Sequence, residues 1–515
     1  MSAPQNLGDF LDRSGDPDRP LFIEPRGGPQ SGEAPRVTTL AAFDARCAAV
    51  ARGLLARGLA RGDRIALLSA NRTEYVAAAM GAMRAGIVPA PVNHKLPPAT
   101  ATRVVADSGA KIVLHDSARE DHLDRAALPD VAFVGFDTAG PTGFDALLDP
   151  GHFTPITPRA DEAAFIMFTS GSTGRPKGAL LSHEAHRWTA DVRMQATPMA
   201  GERVQIAAPL YHMNAFALSI LVCAGGAECV LLPQFEAAAY IDAIARFEVT
   251  WLTAVPPMIA MMLQEKDALA RSDLSSVRTV RMGSAPVNDA LEAQIRALWP
   301  KARIINAFGT TEGGPVVFGA HPDGLTPPTG SVGYPHPEVQ VRLVGPDAPE
   351  RGVLEMKSPA VMLGYHNRPD VASPITEDGF YHTRDVFRRD ENGFFFFLGR
   401  DDDMFVSGGE NIFPAEVEHV IESHPDIDQA CVVPVADAIK GTKPVAFAIR
   451  SPGAKIDEPS LKQFVLDNAP AYQHPRHVWF VDRMPLAPTN KIDRKTLQER
   501  AETLIHEAER GGPTW

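Results

Sequence analysis

Residues 163–178 read Ala-Ala-Phe-Ile-Met-Phe-Thr-Ser-Gly-Ser-Thr-Gly-Arg-Pro-Lys-Gly. The apolar run from Ala163 to Phe168 has the length and continuity of a buried strand. Behind it, Thr169, Ser170, Gly171, Ser172, Thr173 and Gly174 are small enough for their backbone N–H groups to wrap a phosphate closely, and Lys177 supplies positive charge. The loop is not a Walker A sequence, because no Gly-Lys-Ser/Thr follows a Gly at the needed spacing. Kinase-type and ordinary ATPase readings therefore lose their main support.

Working outward, strand-length apolar runs such as Arg64 to Leu68 and Lys111 to Leu114 alternate with Ala-rich stretches of helical period, such as Thr73 to Ala85 and Asp289 to Leu298. That alternation predicts an α/β fold with mostly parallel strands from about Leu40 to Val344. After about Gly330 short β runs with turn signals take over: Val339 to Val344, Val353 to Lys357, and Phe394 to Leu398 behind the turn Asp390-Glu391-Asn392-Gly393. Past the polar run Arg400-Asp401-Asp402-Asp403, the pattern is helix (Pro414 to Glu422), strand (Ala430 to Pro434), strand (Val445 to Ile449) and helix (Glu458 to Asn468). The expected organisation is a large N-terminal domain, 1–401, of layered α/β sheets with a β-rich subdomain at about 330–400, and a small α+β domain, 402–515.

At 515 residues the chain is too long for one ordinary core, and 44% hydrophobic with 22% charged residues is globular composition. Fifty Lys and Arg against 63 Asp and Glu leave a net charge of -13 and no basic footprint for nucleic acid. Cys47, Cys223, Cys229 and Cys431 form no CxxC pair and no zinc spacing, which fits a reduced cytoplasm. The polar N-terminus lacks a secretory pattern. Ala215 to Pro233 is apolar but broken by Gly225, Gly226 and Glu228, so it reads as buried helix, turn and strand rather than a membrane span.

Five further motifs follow the phosphate loop in order: Pro209-Leu210-Tyr211-His212; Asn306-Ala307-Phe308-Gly309-Thr310-Thr311-Glu312-Gly313; Tyr381-His382-Thr383-Arg384-Asp385; Gly399-Arg400-Asp401-Asp402-Asp403 continuing through Ser407-Gly408-Gly409; and Pro488-Thr489-Asn490-Lys491. Together with the loop ending in Pro-Lys-Gly, the set resembles the superfamily of acyl-CoA synthetases, adenylation domains and beetle luciferases, closest in character to bacterial aryl- or acyl-CoA ligases. The resemblance implies an ATP-dependent ligase that joins a carboxylic acid to coenzyme A through an acyl-AMP, with magnesium. It places Phe308 on adenine alongside Gly309 and Thr310, Thr311 on phosphate, Glu312 on magnesium, Asp385 on the ribose hydroxyls and Arg400 on ribose and phosphate. His212 becomes a gate between the acyl pocket and the thiol tunnel. Asp402 becomes the hinge of a mobile C-terminal domain, and Lys491 the lysine that bridges attacking carboxylate and α-phosphate.

Two departures from the family pattern stand out: Arg384 replaces a Gly before Asp385, and Asn490 replaces a Gly before Lys491. By the same resemblance Ser407, Gly408 and Gly409 line the pantetheine tunnel, with Lys440 and Arg476 as contacts for coenzyme A phosphates. The acyl pocket is expected from Met213, Phe216, Met282, Gly283, Ser284, Ala307 and Gly313. This uncharged lining favours an aryl or aliphatic monocarboxylate, because a second charge needs a buried partner. A stand-alone enzyme loading a carrier protein is the runner-up; a dead nucleotide sensor would have lost Glu312 or Lys491. A homo-oligomer is left open.

Overall fold

The computed structural model describes residues 5–27, 32–169, 175–283, 287, 289–407, 410–437, 440–487 and 491–509. Two parallel-stranded sheets carry the first half of the chain. One runs in the order Val88–Pro91, Arg64–Leu68, Ala110–His115, Ala132–Gly135, all parallel. The other has seven strands, Arg303–Ala307, Thr279–Gly283, Trp251–Ala254, Arg203–Ile206, Glu228–Leu231, Pro20–Glu24 and Arg36–Thr39, parallel except for its last pair.

The helix Thr73–Arg84 is buried along its whole length. Its Ala-rich sequence explains this, since a helix apolar on every side must lie within a core. A Cβ on its Gly81 would stand 2.6 Å from the Cys47 carbonyl oxygen, so only glycine admits the neighbouring helix Leu40–Ala56 at this distance. The segment 215–233 is a helix, Met213–Ala224, a turn through Gly226 at φ +68°, and the strand Glu228–Leu231. No helix among the described residues is long and apolar enough to cross a membrane.

The strand Ala163–Thr169 belongs to neither parallel sheet. It forms a hairpin with Lys177–Ser182, to which the two-residue strand Gly364–Tyr365 adds a third member. The antiparallel six-stranded sheet expected after Gly330 starts earlier, at Phe318–Gly319, a strand too short to show a period in sequence.

Beyond residue 402, alternate residues of paired strands face opposite sides of a five-stranded sheet. Val432, Ala446 and Ala448 meet Val417, Ile421, Leu461 and Val465 from the helices Pro414–Glu422 and Glu458–Asn468. Cys431, Val433, Val445 and Phe447 face Leu497 and Ala501 of the helix Arg494–Glu509. Its main strands, Ile427–Asp437 and Gly441–Arg450, outrun the apolar cores read from sequence, because their polar ends still pair through the backbone.

Candidate active site

Thr169 and Lys177 are the last paired residues of the hairpin. Ser170, Gly171, Ser172, Thr173 and Gly174 lie outside the described residues. Thr169 Oγ1 donates to Glu312 Oε1 at 2.9 Å, and the Tyr365 hydroxyl donates to the same oxygen at 3.2 Å. The Lys177 ammonium stands 4.6 Å from the centre of the Tyr365 ring, a cation–π contact that holds the charge beside the carboxylate. Burial, and then Glu312, raise the Tyr365 pKa, so its phenol stays a donor.

Glu312 itself is 9% exposed and sits in a tight turn. Thr310 and Gly314 exchange both backbone hydrogen bonds, at 3.2 and 3.0 Å, and Gly313 N donates to Thr310 Oγ1 at 2.8 Å. The turn closes the strand Arg303–Ala307, whose Ala307 lies opposite Gly283 of the strand Thr279–Gly283. Phe308 packs edge-on to Phe387, with ring centres 4.9 Å apart. Met282 and Phe216 are fully buried, Met213 is buried, and Phe216 touches Phe165 of the phosphate-loop strand at 5.0 Å. Ser284 lies outside the described residues.

The second cluster gathers around Asp385, which is 5% exposed. Arg400 donates to Asp385 Oδ1 at 3.1 Å and forks onto both oxygens of Asp402, at 2.7 and 3.0 Å. Arg384, at φ +63°, has left-handed backbone that favours glycine, which explains the residue type preferred there. Its guanidinium reaches 3.7 Å from Asp402, and its carbonyl accepts from Asp401 N at 2.8 Å. Burial raises the Asp385 pKa to about 7, against the pull of Arg400 and Lys491.

Lys491 links this cluster to the acyl side. Solvent touches its side chain, yet the surrounding protein lowers its pKa, with Asp385 acting in the opposite sense. Lys491 is also, after burial, the chief charge holding the His212 pKa down to about 4. His212 is therefore a neutral imidazole at neutral pH. It precedes the helix Met213–Ala224 as its N-terminal flank, with Nε2 buried and without a partner among the described residues. Tyr381, buried between the clusters, feels Glu312, Tyr365 and Asp385 together.

Distant stretches thus come together: Thr169 and Lys177 meet Glu312 and Tyr365, and Tyr381 joins these to Asp385 and its neighbour Lys491. The model of the AMP-binding enzyme family matches residues 13–366, and that of the AMP-binding enzyme C-terminal domain matches 416–491. This chain belongs to the acyl-adenylate-forming superfamily of AMP-binding enzymes. It is 32% identical over 470 residues to a feruloyl-CoA synthase of Amycolatopsis sp, covering 90% of this chain and 94% of the relative. It is 30% identical over 525 residues to 4-coumarate–CoA ligase 2 of Solanum tuberosum, covering 96% and 92%. The crystal structure of ATP-bound MatB from Rhodopseudomonas palustris superposes with a TM-score of 0.85 at 28% identity, covering 97% of this chain and 99% of that one.

In this AMP-binding enzyme the expected coenzyme A contacts fall partly together. Lys440, Lys462 and Arg476 all act on His474, whose pKa burial and these cations lower to about 4. Arg476 Nη1 lies 3.0 Å from His474 Nδ1. Ser407 is buried with its hydroxyl unpartnered among the described residues, while Gly408 and Gly409 lie outside them. Two participants escaped the sequence reading. Tyr365 had only a Gly-Tyr pair in a polar loop as its signal. His94, whose ring meets Tyr211 edge-on at 5.1 Å beside His212 and whose own pKa burial lowers to about 4, had only its position between two short apolar runs.

Proposed function

We infer that this AMP-binding enzyme activates an aryl or aliphatic carboxylic acid with ATP and passes the acyl group to coenzyme A. The observation that supports this reading is that Asp385 lies between Lys491 on one side and Tyr381, which also faces Glu312, on the other. A carboxylate oxygen attacks the α-phosphorus, the bond to pyrophosphate breaks, and the acyl group remains as a mixed anhydride with AMP. The thiolate of coenzyme A then attacks the acyl carbon and AMP leaves.

No protein nucleophile is needed, so positioning and charge neutralisation do the work. Lys177 and the 170–174 loop hold the β- and γ-phosphates, Thr311 meets a phosphate oxygen, Phe308 offers its ring face to adenine, and Asp385 accepts from the ribose hydroxyls. Glu312 suits magnesium, a hard cation that takes one or two carboxylates and completes its shell with phosphate and water; when bound, the ion offsets phosphate charge. The position of Lys491 beside Asp385 supports the adenylate-forming arrangement. For thioester formation the unit beyond 402 turns about Asp402, withdraws Lys491 and brings Ser407 to Gly409 to the thiol path. The names of the relatives, feruloyl-CoA synthase and 4-coumarate–CoA ligase, support an aryl-bearing acid.

Incubation with ATP, magnesium, coenzyme A and a panel of acids tests this. Pyrophosphate and an acyl-CoA should appear in equal amounts, read by a coupled assay and mass spectrometry. Accumulation of acyl-AMP without thioester would transfer the second step to a carrier protein.

A further inference from the structure

Arginines that turn inward in this protein are matched to acids: Arg368 to Asp370 at 2.8 Å, Arg72 to Glu74 at 3.0 Å, Arg84 to Asp44, and Arg494 to Glu418. Arg193, on the helix His183–Ala196, and Arg281, on the strand Thr279–Gly283, both half-buried, break that rule. Neither is opposed by a carboxylate among the described residues, and Arg281 acts on Arg193 as a repelling neighbour. Arg281 Nη1 donates to Asn214 Oδ1 at 3.2 Å. Arg193 Nη2 and Asn214 Nδ2 are sealed from solvent with no partner among the described residues.

A guanidinium does not escape burial by losing its proton. Two of them side by side, plus an amide NH2, make a cluster of donors whose one acceptor, Asn214 Oδ1, is already used. Desolvated positive charge is retained only where something negative meets it. The planar fork of arginine fits a carboxylate through two parallel hydrogen bonds.

The cluster lies along the expected acyl lining. Asn214 follows His212 and Met213 in the first turn of its helix, and its hydrogen bond from Arg281 brings that guanidinium to the same place. We propose that the acid activated here is a dicarboxylate, whose second carboxylate is held by Arg281, Arg193 and Asn214 while the first is adenylated. This rests on the ligase reading above and revises the expectation of a single carboxylate. That expectation came from an uncharged lining, and a half-buried partner for a second charge stands one residue before Met282.

Matched pairs of acids test it: cinnamate against 4-carboxycinnamate, and hexanoate against adipate. In pyrophosphate release the wild type should favour the diacid of a pair in kcat/KM by about 100-fold, the scale on which one desolvated, hydrogen-bonded charge pair contributes. Arg281→Met should collapse that preference, Arg281→Lys should restore part of it, and Arg193→Met should weaken it. A purely structural arginine would move both acids of a pair alike. The diacid should also raise the melting temperature of the wild type, and not that of Arg281→Met. Equal kcat/KM for mono- and diacids in the wild type overturns the proposal while leaving the ligase reading intact, and needs no variant to fold. Equal melting shifts from chloride or sulfate alone overturn it too, by showing a counter-ion site. Absence of pyrophosphate with every acid overturns both readings.

Discussion

Arg384 holds a left-handed backbone that costs a non-glycine residue about 1 kcal/mol, in a strand whose next residue is Asp385. Arg384→Gly should therefore change stability by less than about 1 kcal/mol, strain relief being offset by chain entropy. Arg384→Val, β-branched, should cost about 2 kcal/mol or more in urea unfolding. At Lys491, removal of a preorganised cation should slow adenylation by about 100- to 1000-fold. Lys491→Ala supplied with synthetic acyl-AMP should still make thioester at near the wild-type rate, and quench-flow of the separate half-reactions checks it. Asp385 sets a pH dependence. Its pKa rises on folding to about 7, so the folded state binds the proton more tightly. The stability this lends is fully present below about pH 4, the unfolded range, and is lost as pH rises through about 7. Relative to wild type, Asp385→Asn should gain stability across that window, by up to about 1.4 kcal/mol per pH unit. A flat difference in urea midpoints between the two ends would contradict it. These residues were legible in sequence because each sits in a short motif. Arg193, Arg281 and Tyr365 were not, since their meaning lies in neighbours far along the chain.

Helices and strands with a strong period came through with nearly their full bounds: Glu458–Asn468 and Pro414–Glu422 match the reading from residues, and Thr73–Arg84 ends one residue early. The hairpin of Ala163–Thr169 did not, because an apolar run of that length reads the same in a parallel sheet as in an antiparallel pair. The union of elements beyond residue 402 also has a polar pin that no period reveals. Arg494 forks onto Glu418, with Nη2 to Oε2 at 2.7 Å, while Val432 N donates to Glu418 Oε1 at 2.7 Å and the Val432 carbonyl accepts from Arg494 at 3.0 Å. One carboxylate thereby ties a helix, a strand and the last helix together. Glu418→Ala takes both forked hydrogen bonds from a guanidinium that is about a third exposed, and should cost about 1.5–3 kcal/mol. Loss of the Leu497 and Ala501 contacts, read by hydrogen exchange over 494–507, should accompany it.

At the scale of the molecule, separate sheets and cores lie on either side of residue 402, and the Arg400–Asp402 fork lies in the chain between them. Asp402→Pro fixes φ at about -65° and limits rotation there. Adenylation should persist in this variant while thioester formation falls, and equal loss of both would remove the hinge. The three-stranded sheet that carries the phosphate loop has a different consequence, one that concerns synthesis. Its hairpin, Ala163 to Ser182, leaves the ribosome long before Gly364–Tyr365, the strand that completes it and hands Glu312 its second donor. A growing chain therefore presents Thr169 and Lys177 before the residue that gives Glu312 its second donor, and Asp385, Arg400 and Lys491, assigned above to ribose and α-phosphate, emerge later still. Nucleotide in the cell would act as a late ligand for the nascent protein, rewarding only chains whose two halves have already met.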